Sequence, residues 1–147
     1  DGIIIGDPFV NDENIEKLAD CMHDQPLTLT IDPDQDLTAI ERKTLFDKIH
    51  KCRYDSNEKI LRLMTSRMIS EKAVDILPRT SSKRVKGMVT IDNIGYKRYS
   101  GELQIVLETL DHDPKVNIIG KIIEDDLWKL PHIACGHQFC FKLKEQI

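Results

Sequence analysis

The sequence has 147 residues, 40% hydrophobic and 31% charged, with a net charge of −4, the balance of one globular domain with a modest core. That charge argues against nucleic acid or an anionic membrane as partner, no apolar run is long enough to span a bilayer, and the N-terminus does not read as a signal peptide. The four cysteines (Cys21, Cys52, Cys135 and Cys140) read as reduced thiols of an intracellular protein rather than disulfide staples.

Opening at Asp1 rather than Met, the chain reads as an excised domain or a processed product. Residues 2–10 form a short apolar run broken by Gly and Pro, a strand leading into a turn. Asn11-Asp12 offers an N-cap for a helix carrying Ile15, Leu18, Ala19 and Met22, which Pro26 ends. Residues 27–31 (LTLTI) alternate as a strand and close in the acidic turn Asp32-Pro33-Asp34-Gln35-Asp36. This turn lacks the Gly and the distant Glu of a calcium loop and reads as solvated.

Thr38 and Glu41 form a capping box for a helix burying Ile40, Leu45, Phe46 and Ile49. A second box, Asp55 to Glu58, predicts another helix with Ile60, Leu61, Leu63, Met64 and Met68 as its apolar side. From about residue 73 the period shifts from 3.6 towards 2. Residues 73–77, 86–92, 102–110, 115–123 and 132–143 all read as strands. The expected fold is a single α+β domain over 1–147, with helices in the N-terminal half and an antiparallel β-sheet in the C-terminal half.

Chemistry concentrates in the middle of the chain. Pro78-Arg79-Thr80-Ser81-Ser82 offers a guanidinium, three hydroxyls and backbone donors, a set suited to a polyphosphate. The basic run Lys83-Arg84-Val85-Lys86 follows, and Asp92 stands ready to orient a water or a sugar hydroxyl. In residues 102–108, Leu103, Ile105 and Leu107 share one face, while Glu102, Gln104, Val106 and Glu108 share the other. The plain reading of this alternation is a half-buried strand with a wet outer face.

Ile76-Leu77-Pro78-Arg79-Thr80-Ser81, Lys86-Gly87, Ile91-Asp92 and Tyr99-Ser100-Gly101-Glu102-Leu103 together resemble the central motifs of the dUTPase and dCTP-deaminase superfamily. The resemblance implies a compact β-fold, a homotrimer, and Mg2+-dependent hydrolysis or deamination of a deoxynucleoside triphosphate. It implies nucleotide binding by Arg79, Thr80, Ser81, Tyr99 and Gly101, with Tyr99 packed on the deoxyribose. Catalytic roles would fall to Asp92, which aligns the attacking water, to Arg84, and to Glu108 as an acid/base. The match departs from the family in its spacing before Tyr99, in the missing first motif and in the absence of a Gly-rich C-terminal tail.

At the C-terminus, Cys135-x-His137-x2-Cys140 resembles the middle ligands of a RING finger, although the flanking Cys pairs are missing. A single Zn2+ site from His132, Cys135, His137 and Cys140 is one reading. A core strand with Ile133, Cys135, His137 and Phe139 on one face is the other. Against the nucleotide enzyme stands a non-catalytic protein-interaction domain of a larger protein, viral or regulatory, with or without that zinc. The expected partner is thus a deoxynucleotide or another protein.

Overall fold

A computed structural model describes residues 12–13, 26–64, 76–79 and 82–145. The strand expected at 2–10 lies outside these residues, as does most of the helix expected after Asn11, of which Asp12 and Glu13 are helical.

Strand β1, Leu27–Pro33, buries Leu29 and Ile31 as its alternation requires. Helix α1, Ala39–Phe46, starts where the capping box predicts. The Thr38 hydroxyl accepts from the Glu41 amide, and the Glu41 carboxylate accepts from the Thr38 amide at 3.0 Å. Five short strands and one longer one complete the sheet: β2 (His50–Lys51), β3 (Ile60–Arg62), β4 (Met88–Asp92), β5 (Leu103–Val106), β6 (Val116–Ile122) and β7 (Gln138–Leu143). Two 3-10 segments, Ile94–Tyr99 and Glu124–His132, fill the second half.

The seven strands form one sheet in the order β2-β7-β1-β6-β4-β5-β3. It is mixed: β1 runs parallel to β7, from Leu27 opposite Phe139 to Ile31 opposite Leu143, while the other pairs are antiparallel. The sheet curls into a half-barrel. Its end strands are linked where Cys52, just past β2, bridges Leu63, just past β3. The Arg53 amide donates to the Arg62 carbonyl and the Met64 amide to the Lys51 carbonyl, both at 2.8 Å.

One face carries the core, with Leu61, Val89, Ile91, Leu103, Ile105, Phe139 and Phe141 packed with Leu45 of α1. The opposite face of β3, β5 and β4 is polar. Arg62 stands across from Gln104, and Gln104 across from Thr90.

The expected α+β division is therefore corrected. Three strands lie in the first half, the parallel β1–β7 pair joins the two ends of the described chain, and α1 has only eight residues. The helix expected after Asp55 is instead a turn followed by β3. The Asn57 side chain accepts from the amides of Lys59 and Ile60 at 2.9 and 3.1 Å, which closes the turn. Ile60, Leu61, Leu63 and Met64 fit a helical stripe as well as a strand, because three residues are too few to show a period. The strand expected at 132–143 begins only at Gln138, after a turn in which Gly136 takes a φ of 83°. Of the strand expected at 73–77, Ile76 and Leu77 lie outside any strand, and the rest falls outside the described residues. No helix among the described residues is long and apolar enough to cross a membrane.

Candidate functional site

A cleft of about 520 Å³ opens on the polar face of β3, β5 and β4. Its floor is Ile60 and Arg62 of β3, Gln104 of β5 and Val116 of β6. Asp92 lies at the end of β4, where the strand gives way to the 3-10 segment. The excursion from Asp92 to Gly101 is tied at its base: the Gly101 amide donates to the Asp92 carbonyl at 2.7 Å, and the Asp92 amide to the Glu102 carbonyl at 3.0 Å. Gly101 has a φ of 88°, so its role here is to turn the chain back into β5.

Asn93 caps the excursion, its side-chain oxygen accepting from the Gly95 amide at 2.9 Å. Lys97 then interrupts the 3-10 segment with φ 52° and ψ −114°, a backbone conformation costly for a residue with a Cβ. On either side of this break, Tyr96 and Tyr99 both line the cleft. The Arg98 guanidinium lies 4.8 Å from the centre of the Tyr99 ring and donates to its hydroxyl at 2.6 Å.

Charge in the cleft is heavily paired. Glu102, only 1% exposed, receives Arg53 and Arg62, each at 3.2 Å. Arg53 also reaches Asp55 at 2.8 Å. Arg84 sends Nε and Nη2 to the Asp111 carbonyl at 3.0 and 2.9 Å. The Tyr96 hydroxyl donates to the Asp113 carboxylate. That bond, with burial and the charges of Asp113 and Asp92, pushes the Tyr96 phenol up to about 12. Burial works to raise the Asp113 pKa, but the hydrogen bonds from Tyr96 and the Lys115 amide and the charges of Arg84 and Lys115 outweigh it. Its carboxyl sits below the ordinary range and stays ionised.

Of the residues singled out by sequence, the structure brings Asp92, Arg84 and Tyr99 into this cleft, with Gly101 at its base. Glu108 is exposed beyond β5 and does not line it. Arg79 lies elsewhere, paired with the buried Glu41 at 3.1 Å and donating to the Asp36 carbonyl, so it ties α1 and the acidic turn to the sheet. Thr80 and Ser81 fall outside the described residues.

The C-terminal Cys/His residues point to separate partners. His132 packs against Trp128, Cys135 is exposed, His137 Nδ1 accepts from the Ala134 amide at 3.1 Å, and Cys140 meets the Thr28 hydroxyl at 3.6 Å. Among the described residues no three His, Cys, Asp or Glu side chains gather closely enough to hold a metal ion. Sequence reasoning missed Arg53, Arg62, Glu102, Tyr96 and Asp113. Glu102 and Gln104 were taken for a wet strand face, yet they are 1% and 6% exposed.

A family model described as 6-phospho-N-acetylmuramidase, C-terminal, matches residues 27–142, a span that holds every residue of the cleft. The chain belongs to that family. The crystal structure of an uncharacterized B. cereus protein is 30% identical with a TM-score of 0.77, covering 94% of this chain and 39% of its own. That of a conserved Enterococcus faecalis protein of unknown function is 31% identical with a TM-score of 0.72, covering 95% of this chain and 36% of its own. The chain thus spans less than two fifths of the length of either relative. Comparison with curated proteins gave no match. The family assignment overturns the resemblance to dUTPases and dCTP deaminases, and the RING resemblance with it. The expectation of a deoxynucleotide-binding, Mg2+-dependent nucleotide hydrolase falls too: the short motifs that suggested it serve here as a strap (Arg79) and a strand-linking turn (Tyr99 to Leu103).

Proposed function

We propose that this chain is part of a glycosidase acting on saccharides that contain 6-phospho-N-acetylmuramic acid, and that the cleft between β3, β4 and the 94–99 segment is where it holds sugar. What carries the reading is the family match over residues 27–142, whose span encloses a cleft of the composition that sugars favour. Carboxylates accept from sugar hydroxyls, guanidiniums and the Gln104 amide donate to them, and aromatic rings cover the apolar face of a pyranose. The ion pairs around Glu102 hold these groups in place before a ligand arrives, which lowers the ordering cost of binding. In this reading Asp92 and Tyr99 touch the sugar, and Arg84 also lines the site. Glycoside hydrolysis needs a pair of carboxyl groups flanking the scissile bond. The proposal assigns this chain the holding of the saccharide and leaves that pair to the complete protein.

The test is made on the longer protein that carries this domain, with a disaccharide whose non-reducing unit is 6-phospho-N-acetylmuramic acid. Tyr99→Ala is expected to raise KM about tenfold, with a smaller change in kcat, because it removes binding rather than chemistry. Wild-type turnover with an unchanged KM in the variant would remove the cleft from the saccharide path.

A further inference from the structure

The cations around the cleft fall into two groups. Arg53 and Arg62 are tied to carboxylates, Arg53 to Asp55 and Glu102, and Arg62 to Glu102. Arg84, Lys115 and Arg98 form no ion pair with a carboxylate among the described residues. Arg84 directs Nε and Nη2 to the Asp111 carbonyl, a neutral acceptor that fixes the guanidinium without compensating its charge. Lys115 Nζ lies 5.3 Å from the centre of the Tyr96 ring, and Arg98 rests on Tyr99. Both tyrosines line the cleft, as does Arg84.

Arg84 and Lys115 converge on one place, the Tyr96–Asp113 pair, since both charges act on Asp113. The Asp113 carboxylate is ionised, but each of its oxygens already accepts a hydrogen bond, Oδ2 from the Tyr96 hydroxyl and Oδ1 from the Lys115 amide at 2.9 Å. The Tyr96 phenol, pushed up to about 12, adds no negative charge at neutral pH. The other acids nearby are Asp111, exposed to water, and Asp92, which is 5% exposed at the end of β4 and also acts on Tyr96. What distinguishes this side of the cleft is its donors. Arg84 Nη1 and Lys115 Nζ have no acceptor among the described residues. A phosphate brings three acceptor oxygens and a charge of about −2, and a guanidinium beside an ammonium matches it by charge-assisted hydrogen bonds.

We infer that the Tyr96 side of the cleft, flanked by Arg84 and Lys115, is a subsite for a sugar phosphomonoester, with Arg98 as a third, outer cation. This rests on the proposed saccharide function and adds which group of the saccharide this wall recognises: the 6-phosphate. The sugar ring then extends from the phosphate towards Tyr99 and Gln104.

The experiment is an amide NMR titration of the 147-residue chain with N-acetylmuramic acid 6-phosphate, with N-acetylmuramic acid, and with inorganic phosphate. The phosphorylated sugar is expected to shift the amides of Arg84, Tyr96, Gln104 and Lys115 saturably and to bind about tenfold more tightly than the unphosphorylated one. Inorganic phosphate is expected to shift Arg84 and Lys115 and leave Gln104 unmoved. Arg84→Gln is expected to bring the two sugars to within about threefold of each other. Lys115→Gln combined with Arg98→Gln, both at exposed positions where folding is not at stake, is expected to reduce the preference by a similar factor. Equal affinity of the two sugars for the unaltered chain would overturn this inference and leave the saccharide function standing, as would a preference that survives in the Lys115 and Arg98 double variant and in a folded Arg84→Gln. Shifts with inorganic phosphate while neither sugar binds would mean an adventitious ion only, and would overturn the inference and the assignment of the cleft together.

Discussion

Arg53 and Arg62 reach the same carboxylate, Glu102, which is 1% exposed. A charge at that depth persists because two guanidiniums compensate its lost hydration. Glu102→Gln keeps the shape and removes the charge: Arg53 retains Asp55, and Arg62 retains no carboxylate among the described residues. Arg62 is about a third exposed, so water makes up part of the loss. The expected cost is about 2 kcal/mol, below the full penalty of a broken buried pair, read as a lower urea midpoint at an unchanged m-value.

His50 presents the inverse case. It is 0% exposed, its ring lies 5.2 Å from that of Phe141, and Nε2 contacts the Leu45 carbonyl at 2.9 Å. Burial lowers its pKa below 6.5, and the bond to Leu45, which favours the protonated ring, does not restore it. The unfolded chain therefore binds the proton more readily than the folded one. This contribution is whole above pH 6.5 and is lost as pH falls from there towards the folded pKa. The expected slope is at most about 1.4 kcal/mol per pH unit. Thermal unfolding of the wild type at pH 7.5 and 5.5, set against His50→Leu, should show a drop on acidification that is smaller in the variant.

At the scale of elements, β6 shows how closely the strands approach. Gly120 stands opposite Pro33 of β1 and Val89 of β4. A Cβ built there would lie 2.8 Å from Ile31 Cδ1 and 2.9 Å from the Asp32 carbonyl oxygen. The side-chain atom could swing away, but the carbonyl belongs to the backbone of β1. Gly120→Ala is expected to cost about 2 kcal/mol or more through overpacking, measured by thermal or urea unfolding.

The same scale shows which signals were legible in the sequence. The Thr38–Glu41 box marks the start of α1 because both of its hydrogen bonds are local. The alternations in β1, β4, β5 and β6 were readable because these strands have four to seven residues. The β3 strand was not, since its apolar residues fit two periods. Pairing between β1 and β7 joins residues more than a hundred positions apart, and nothing in either segment names its partner. The cleft was half legible. Asp92 and Arg84 were singled out from the residues themselves, and their catalytic roles, like the choice of Tyr99, came through a resemblance to a family the chain does not belong to. Arg53, Arg62 and Glu102 escaped because a salt-bridged, buried polar face alternates just as a solvated one does.

For the whole molecule, the consequence of curling lies at the seam. A sheet open at β2 and β3 would expose two rows of unpaired backbone groups, and edges of that kind template aggregation. Here Arg53 donates its amide to the Arg62 carbonyl across the seam, Met64 does the same to Lys51, and Cys52 pairs with Leu63 between them. The side chains of Arg53 and Arg62, neighbours through this backbone bond, then meet again at Glu102 inside the cleft. Closing the seam and assembling the cleft are thus one event. If so, the amides of Arg53 and Met64 should exchange with solvent hydrogen within about tenfold of Ile91, in the central strand β4, because all would open only with the sheet as a whole. Glu102→Gln should loosen the seam first, raising exchange at Arg53 and Met64 while Ile91 changes only by the global loss of stability. Exchange at both seam amides near the rate of an unprotected amide in the wild type would mean the half-barrel is open at that edge. Arg53 would then reach the cleft independently of Arg62.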